Sequence, residues 1–236
     1  MTLLDLIAAL RLRLDDQGGA TGTIPTGYSY YWEADDAAGC LWKNAELTDA
    51  INQAQVEFCM RNPIMDPTET ITLVAGTASY ATPTWAVTVE RVLLAATGDA
   101  LQKISHEDID DGRYSLTGTP EFYYEDTNQA QLVVVPTPIA AGTLRLTIQR
   151  LPKVALTWAL RASASPEIDA VNHPDLLDYA EYLCFLKRDA DTDNLTRAML
   201  ALSRFDARVG DRPSAKLWDF QRRVANKRTR SRAQFM

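Results

Sequence analysis

The sequence predicts an α+β fold, in which N- and C-terminal helices form a helical bundle with an inserted small antiparallel β module and a basic C-terminal arm. Three observations predict this class. Apolar residues recur at helical spacing near both ends of the chain. The middle, from about residue 69 to 158, is rich in Val, Thr, Leu and Tyr, with Pro and Gly at turn positions. Basic residues cluster at the C-terminal end.

The N-terminal part predicts two helices separated by a long loop. The first helix has its apolar stripe at Leu3, Leu6, Ile7, Leu10 and Leu14, and Gly18-Gly19 ends it. The second begins at Asn44, a good N-cap, carries Glu46 in its first turn and ends at Asn62-Pro63. Its buried stripe is Leu47, Ile51, Ala54 and Phe58.

The loop over residues 17–42 has neither a helical nor a strand period, and loops of this length are uncommon unless they have a function. Its aromatic residues include Tyr28, Tyr30, Tyr31 and Trp32, which form a candidate contact surface.

The middle predicts strands at Thr70–Val74, Val87–Ala95, Phe122–Asp126, Gln131–Val135 and Leu144–Leu151. Hairpin connections are predicted at Asp126-Thr127-Asn128 and Ala140-Ala141-Gly142, and a short helix at Glu107–Tyr114.

From residue 173 the pattern is helical again. One stripe is Leu176, Ala180, Leu183 and Cys184, and another is Leu195, Met199, Leu202, Phe205 and Val209. Leu217, Phe220 and Val224 begin a last helix that runs into the basic arm. The predicted division is 1–65 for the N-terminal helices, 66–160 for the β module, 161–211 for the C-terminal helices and 212–236 for the arm.

Composition is that of a globular protein, with 46% hydrophobic and 23% charged residues among 236. No apolar stretch approaches the ~20 residues of a transmembrane helix, and the N-terminus does not resemble a signal peptide. Cys40, Cys59 and Cys184 are scattered, which favours a reducing compartment over a disulfide framework. We therefore expect a cytosolic origin.

Charge is unevenly distributed. Residues 212–236 contain eight basic residues and one acidic residue, Asp219, so their net charge is +7. Because the whole chain has a net charge of −7, residues 1–211 have a net charge of −14. Separated blocks of opposite charge are typical of a chain that docks onto a partner.

Catalytic and metal-binding patterns are weak. His106 and His173 are the only histidines, and neither has a metal ligand at suitable spacing. Asp189, Asp191 and Asp193 resemble the start of a calcium loop, but Asn194 and Leu200 occupy the positions that need Gly and Glu. The acidic run at His106-Glu107-Asp108 fits a solvated helix start. We predict no enzyme activity, no catalytic residue, no cofactor and no metal.

The basic arm leaves three alternatives. It could bind nucleic acid phosphates, dock onto an acidic protein surface, or serve as a solubilising end. Aromatic residues between the charges favour a protein partner. The predicted docking residues are Arg212, Lys216, Leu217, Trp218, Phe220, Arg222, Arg223, Lys227, Arg228, Arg230, Arg232 and Phe235.

A succession of modest motifs over most of the chain resembles the head-to-tail adaptor (connector) proteins of tailed bacteriophages. These motifs are Leu3-Leu4-Asp5-Leu6-Ile7, Trp42-Lys43-Asn44-Ala45-Glu46-Leu47, Ile51-Asn52-Gln53-Ala54-Gln55, Arg61-Asn62-Pro63, Ala75-Gly76-Thr77-Ala78-Ser79-Tyr80, Arg91-Val92, the Gly98–Leu101 turn, Gly118-Thr119-Pro120-Glu121-Phe122-Tyr123-Tyr124, Val134-Val135-Pro136-Thr137-Pro138, Gln149-Arg150-Leu151-Pro152 and His173-Pro174-Asp175-Leu176-Leu177.

The resemblance implies a structural protein that forms a ring under the portal, joins capsid to tail and continues the DNA channel. It implies twelve copies, helices packed between neighbouring subunits, a β module on the tail side and a C-terminal segment that reaches the portal. The implied partners are the portal ring, a tail or nozzle protein, other copies of the chain and passing DNA without specific binding, with no membrane. With this resemblance, we expect Tyr28, Tyr30, Tyr31 and Trp32 of the 17–42 loop to contact a neighbouring subunit, the tail or the channel. The implied location is the virion, after assembly in the host cytoplasm. The alternative function is nucleic-acid binding through the arm.

Overall fold

A computed structural model describes residues 1–16, 24, 27–34, 39–105, 116–126, 130–187, 194–214 and 217. The chain divides into two compact units. One comprises Met1–Ile64 with Leu151–Arg212 and is helical; the other comprises Met65–Arg150 with Pro213–Met236, and its described elements are strands. The finer division of the chain into four parts stays a prediction.

The helical unit has five described α-helices. These are α1 (Leu3–Arg13), α2 (Tyr31–Ala34), α3 (Asn44–Arg61), α4 (His173–Phe185) and α5 (Leu195–Val209). Two 3₁₀ turns, Trp158–Leu160 and Ala170–Asn172, precede α4. Helix α4 packs against α1, α3 and α5, so it lies at the centre of the unit.

Local sequence explains where the helices begin and end. At α1 the Thr2 hydroxyl accepts from the Asp5 N–H and the Asp5 carboxylate accepts from the Thr2 N–H, a capping box. Pro174 occupies the first turn of α4, where its missing N–H costs no helical hydrogen bond. Helix α5 begins where the Asn194 side chain accepts from the Arg197 N–H, and it ends at Gly210, whose φ is 87°.

The buried face of α5 differs from the predicted stripe. Ala198, Ala201 and Phe205 are buried, whereas Leu195 and Met199 are more than half exposed. Small side chains bring α5 close to α4, and the longer aliphatic side chains point away from the core. The apolar spacing identified the helix and placed Phe205 and Val209 correctly at the core, but it wrongly placed Leu195 and Met199 there.

The β unit contains nine described strands. They are β1 (Ile64–Leu73), β2 (Ser79–Ala81), β3 (Ala86–Leu94), β4 (Gln102–Lys103), β5 (Thr117–Gly118), β6 (Phe122–Asp126), β7 (Gln131–Val135), β8 (Thr137–Pro138) and β9 (Gly142–Arg150). They form three sheets in the orders β1-β9-β3, β2-β7-β6-β4 and β5-β8. Pairs β3/β9, β2/β7 and β6/β7 are antiparallel, whereas β4/β6 and β5/β8 are parallel.

The two larger sheets share one apolar core. Val89, Val92, Leu144, Leu146 and Ile148 from the first sheet cluster with Tyr80, Tyr123, Leu132 and Val134 from the second. Successive side chains of a strand point to opposite faces of its sheet, so each sheet has one face that packs against the other sheet. The β unit therefore has a core of its own.

The predicted fold class is wrong, because the chain is not a helical bundle with a small inserted antiparallel module. The described residues contain nine strands in three sheets, two of the strand pairs are parallel, and the strands enclose a separate core. Strands β2, β4, β5 and β8 are two or three residues long, too short to show a period of two. These short strands form because they pair with strands that are distant in the sequence. The local sequence pattern gives no information about such pairing.

Several sequence predictions fall outside the described residues. The short helix at 107–114, the central residues of the 126–128 hairpin, the acidic turn at 189–193 and almost all of the last helix lie there.

A buried ion pair stabilises the β unit. The ammonium nitrogen of Lys103 lies 2.6 Å from Glu125 Oε1 and donates to the Val89 carbonyl, and both side chains of the pair are less than a tenth exposed. We predict that Lys103→Met lowers the unfolding free energy by about 3 kcal/mol, because it leaves the Glu125 carboxylate buried without its cation. Urea denaturation measures this loss. The exposed Arg91→Met, on β3 of the same unit, serves as control, and equal effects of the two substitutions would contradict the prediction.

Candidate interaction surface

A buried arginine closes the 17–42 segment at its base. Arg11 on α1 is fully buried, and its Nη1 lies 2.5 Å from Asp16 Oδ2. Its Nη2 donates to the Trp42 carbonyl at 2.9 Å and to Asn44 Oδ1 at 2.8 Å. Asp16 also accepts from the Leu41 and Trp42 N–H groups. One guanidinium therefore holds the residues that flank both ends of the segment.

Asn44 has a different role from the predicted one. The N-cap of α3 is Lys43, whose N–H donates to the Glu46 carboxylate. The Asn44 side chain is buried, accepts from Arg11 and donates to the Trp32 carbonyl. Asn44 therefore joins the segment to the helical core.

The four aromatic residues predicted as a contact surface separate into two groups. Trp32 is buried, and the Arg11 guanidinium carbon lies 4.9 Å from the centre of its ring. Tyr30 stacks on Trp32 with ring centres 4.8 Å apart, and both Tyr28 and Tyr30 are exposed. Tyr31 is half-buried. Trp32 anchors the segment, while the three tyrosines stay predicted contact residues.

Arg161 contacts the residues of this aromatic group. Its Nε lies 2.9 Å from Glu33 Oε1, and its guanidinium lies 4.7 Å from the Trp158 ring and 5.8 Å from the Tyr28 ring. Cation–π contacts of this kind fix a planar cation between aromatic faces. Tyr28 and Tyr30 are thus held in place by contacts with Arg161 and Trp32.

A second arginine fixes the point at which the predicted arm leaves the helical unit. Arg61, at the end of α3, donates from Nη1 to Asp206 Oδ1 at 2.6 Å and to the Gly210 carbonyl at 2.5 Å. Its Nε donates to Glu57 Oε1 at 3.1 Å, and its guanidinium lies over the Phe205 ring. Burial acts to lower the pKa of Arg61, but the hydrogen bonds to Asp206 and Glu57 outweigh burial and raise it. Arg61 therefore stays charged. We call this group of residues, Arg61 with Glu57, Asp206 and Gly210, the arm root.

The described part of the arm is short. Arg212 Nη1 lies 3.3 Å from Glu57 Oε2 with its side chain 55% exposed, and Leu217 is also exposed. Lys216, Trp218, Phe220, Arg222, Arg223, Lys227, Arg228, Arg230, Arg232 and Phe235 lie outside the described residues. The docking role of the arm stays a prediction.

A pair of buried carboxylates joins three helices. Asp178 and Glu181 on α4 are almost fully buried. Arg13 from α1 and Arg204 from α5 contact both of them, and Arg208 contacts Asp178. Negative charge at the centre of the unit is thereby balanced by cations from both sides.

The next question is where the described histidine and cysteine side chains lie, and which metal-ligating groups surround them. The described residues contain no group of three or more metal-ligating side chains. His173 is buried at the start of α4, with its ring nitrogens 3.1 Å from the Met1 amine and 3.1 Å from the Ile168 carbonyl. Burial raises the pKa of the Cys184 thiol to about 12, with nearby carboxylates such as Glu46 adding to the effect, so this thiol is not a ready nucleophile. His106 lies outside the described residues.

The described helices also include none with the length and apolar character needed to cross a bilayer.

A cleft of about 450 Å³ lies beside the arm root. Phe58, Pro63 and Ile64 supply its apolar wall, and Glu167, Asp175 and Arg208 supply charge. Its lining also includes Asp169, so the charged residues of the cleft are three carboxylates and one arginine.

Sequence reasoning missed the arginines that organise the unit. A signal existed for Arg11, which follows Leu3 and Ile7 at intervals of four and therefore falls on the buried stripe of α1. A charged residue on such a stripe predicts a buried partner. Asp16 lies just beyond the end of α1, and Asn44 lies 33 residues further along the chain than Arg11. No local sequence pattern identifies either residue as its partner, so the structure was needed to find them.

The sequence is similar to a known protein family. The model of this family, described as SU10 adaptor protein, matches residues 1–232. No curated protein matches the sequence.

Arg11 holds the residues at both ends of the 17–42 segment, so its replacement should lower the free energy of unfolding. We predict that Arg11→Met costs about 3–5 kcal/mol of unfolding free energy, because Asp16 then remains buried without its cation. Thermal and urea denaturation measure the loss. Arg145→Met, at an exposed position, is the matched control and should stay within about 0.5 kcal/mol of the parent. A parent-like Arg11→Met protein would contradict the anchor.

The arm root gives a second prediction. Arg61→Gln removes charged hydrogen bonds to Asp206 and Gly210, each worth about 1.5–3 kcal/mol, so amide exchange in the last turn of α5 should quicken at least tenfold. Arg212→Gln is the control, since an exposed ion pair contributes at most about 1 kcal/mol. Hydrogen–deuterium exchange measures both. Unchanged protection in Arg61→Gln would show that packing alone holds this turn.

Proposed function

The chain belongs to the SU10 adaptor protein family, and on that premise we propose that it is the non-catalytic structural adaptor at the head–tail junction of a bacteriophage. The single observation that carries the proposal is the family match over residues 1–232, which makes the chain a phage adaptor-type protein and a virion component. In the proposed function the chain forms a ring under the portal, joins the capsid to the tail and continues the DNA channel.

The proposed partners are the portal ring, a tail or nozzle protein and further copies of the chain, twelve in number by resemblance to head-to-tail adaptors. Assembly takes place in the host cytoplasm. Support comes from the separation of charge, since an arm of +7 is suited to an acidic docking surface. The remaining −14 repels the phosphates of passing DNA, which suits a channel that must not hold the genome.

The arm root supports the same proposal. Arg61 holds the Gly210 carbonyl and the Asp206 carboxylate, and Arg212 pairs with Glu57. The arm accordingly begins at a defined position on the helical unit. A docking segment with a fixed origin loses less conformational freedom on binding than one with a free origin.

Mass photometry of the chain mixed with its cognate portal ring tests the proposal. We expect a mass gain of about 314 kDa, twelve times the 26.2 kDa chain, for a closed ring. A chain that ends at Asp211 should lose this gain. The arm double substitution Trp218→Ala and Phe220→Ala should weaken it while keeping the arm charge, which separates apolar anchoring from electrostatic attraction.

The outcomes discriminate among functions. A gain that survives truncation would keep the adaptor and assign the portal contacts to the helical unit. No association with the portal, combined with DNA binding that falls steeply with salt, would overturn the adaptor and favour nucleic-acid binding through the arm.

A further inference from the structure

The cleft beside the arm root combines apolar residues with residues that accept hydrogen bonds. Its apolar lining includes Phe58, Ile64 and Val209, and its polar lining includes three carboxylates and the carboxamides of Asn62 and Asn172. Its volume of about 450 Å³ is within the range of roughly 300–1,000 Å³ that is usual for the binding sites of small ligands. The cleft is therefore large enough to hold a ligand, and its lining decides which chemical class fits.

Asp169 follows a stretch of backbone that is fixed to the helical core. The N–H of Glu167 donates to Gln55 Oε1 at 2.8 Å, and Gln55 is buried on α3. The next residue, Ile168, is buried, and its carbonyl oxygen lies 3.1 Å from Nε2 of the buried His173. The position of Asp169 at the cleft is thus set before any ligand arrives, which lowers the conformational entropy that binding would cost.

Three lining residues have oxygen atoms that are available to a ligand. The Asp169 carboxylate accepts one hydrogen bond within the described part of the chain, from the Val171 N–H at 3.5 Å. An ionised carboxylate has about four acceptor positions, so most of those of Asp169 remain available. Asn62 donates from Nδ2 to the Val209 carbonyl at 3.1 Å, and its Oδ1 accepts from no described group. The Asn172 carboxamide likewise has no described hydrogen-bond partner.

The lining disfavours three other classes of ligand. An anion would find one basic residue, Arg208, whose guanidinium already contacts Asp175 at 3.3 Å and Asp178 at 3.1 Å. A compact metal ion needs several converging ligands, and no group of three or more metal-ligating side chains exists among the described residues. A wholly apolar ligand would cover the carboxylate and amide oxygens without replacing their hydrogen bonds to water, which costs free energy. A cation with several N–H donors avoids all three penalties.

We propose that this cleft binds an aliphatic cation, meaning an ammonium or guanidinium group at the end of a chain of methylene groups. The cation binds the Asp169 carboxylate, since hydrogen bonds from a charged donor to a carboxylate are roughly twice as strong as neutral ones. The oxygens of Asn62 and Asn172 accept its remaining N–H groups, and the methylene groups cover the apolar lining. Two sources offer this chemistry, namely the lysine or arginine side chain of a protein partner and a free polyamine.

Isothermal titration calorimetry of the full chain tests the site with four probes. N-acetylarginine amide and the aliphatic diamine cadaverine should each bind saturably, at one site per chain, with a Kd below about 1 mM. N-acetylcitrulline amide has nearly the shape of the arginine probe but carries no charge, and it should bind at least about tenfold more weakly. Methylamine has the charge without the methylene chain and should bind at least about threefold more weakly than cadaverine.

A matched pair of variants assigns the binding to the cleft. Asp169→Asn removes the carboxylate charge but keeps an oxygen that can accept from the Val171 N–H, so the local backbone should be preserved. It should weaken the binding of N-acetylarginine amide at least about tenfold. Asp99→Asn makes the same change in net charge at an exposed position outside the cleft, and it should bind as the parent does. Circular dichroism of both variants checks that they are folded.

The probes also separate the two sources. Binding of N-acetylarginine amide at least about tenfold more tightly than cadaverine would support the side chain of a protein partner, and the reverse order would support a free polyamine. Three results would overturn the proposal. They are the absence of saturable binding up to about 10 mM of either probe, equal affinities of the Asp169→Asn and Asp99→Asn chains, and equal affinities for the arginine and citrulline probes. The second result would identify a general attraction of cations by the net charge of −7.

Discussion

The organisation of the helical unit depends on one buried positive charge. Arg11 is fully buried, and a guanidinium in that position is tolerated only when its donors are occupied and its charge is balanced. Asp16 supplies the balancing charge, while the Trp42 carbonyl and the Asn44 side chain accept from the other terminal nitrogen. These partners come from three parts of the sequence. The end of α1, the end of the long segment and the start of α3 must therefore come together for the charge to be satisfied.

Arginine pairing recurs between several of the described helices of the unit. Asp178 and Glu181 receive arginines from α1 and α5, and Arg61 joins α3 to α5. Buried ion pairs add little net stability compared with apolar packing, but a misplaced helix would leave their charges unpaired. We therefore interpret these arginines as determinants of helix register. Apolar burial drives the collapse, and the ion pairs restrict which arrangement is acceptable.

Local patterns predicted those elements that carry a long, regular period. The stripe of α1, the strands Phe122–Asp126 and Gln131–Val135, and the proline at the start of α4 were all identified from spacing and composition. The number of strands and sheets in the β unit could not be predicted, because four of its strands are too short to carry a pattern. The buried face of α5 was predicted only in part, because Phe205 is buried as expected but Leu195 and Met199 are exposed. Spacing reports which residues share a face, but the choice of face depended on α4.

Closure of the 17–42 segment at its base has an evolutionary consequence. Arg11 ties Asp16 to Trp42, so the distance between the two ends is set by the helical core and is independent of the residues between them. Lengthening a closed loop is inexpensive, since each doubling costs only about 0.6 kcal/mol. Insertions and substitutions in the segment can therefore accumulate without disturbing the helices. We expect related chains to diverge most at this position, which makes it a natural place for the specificity of each lineage to evolve.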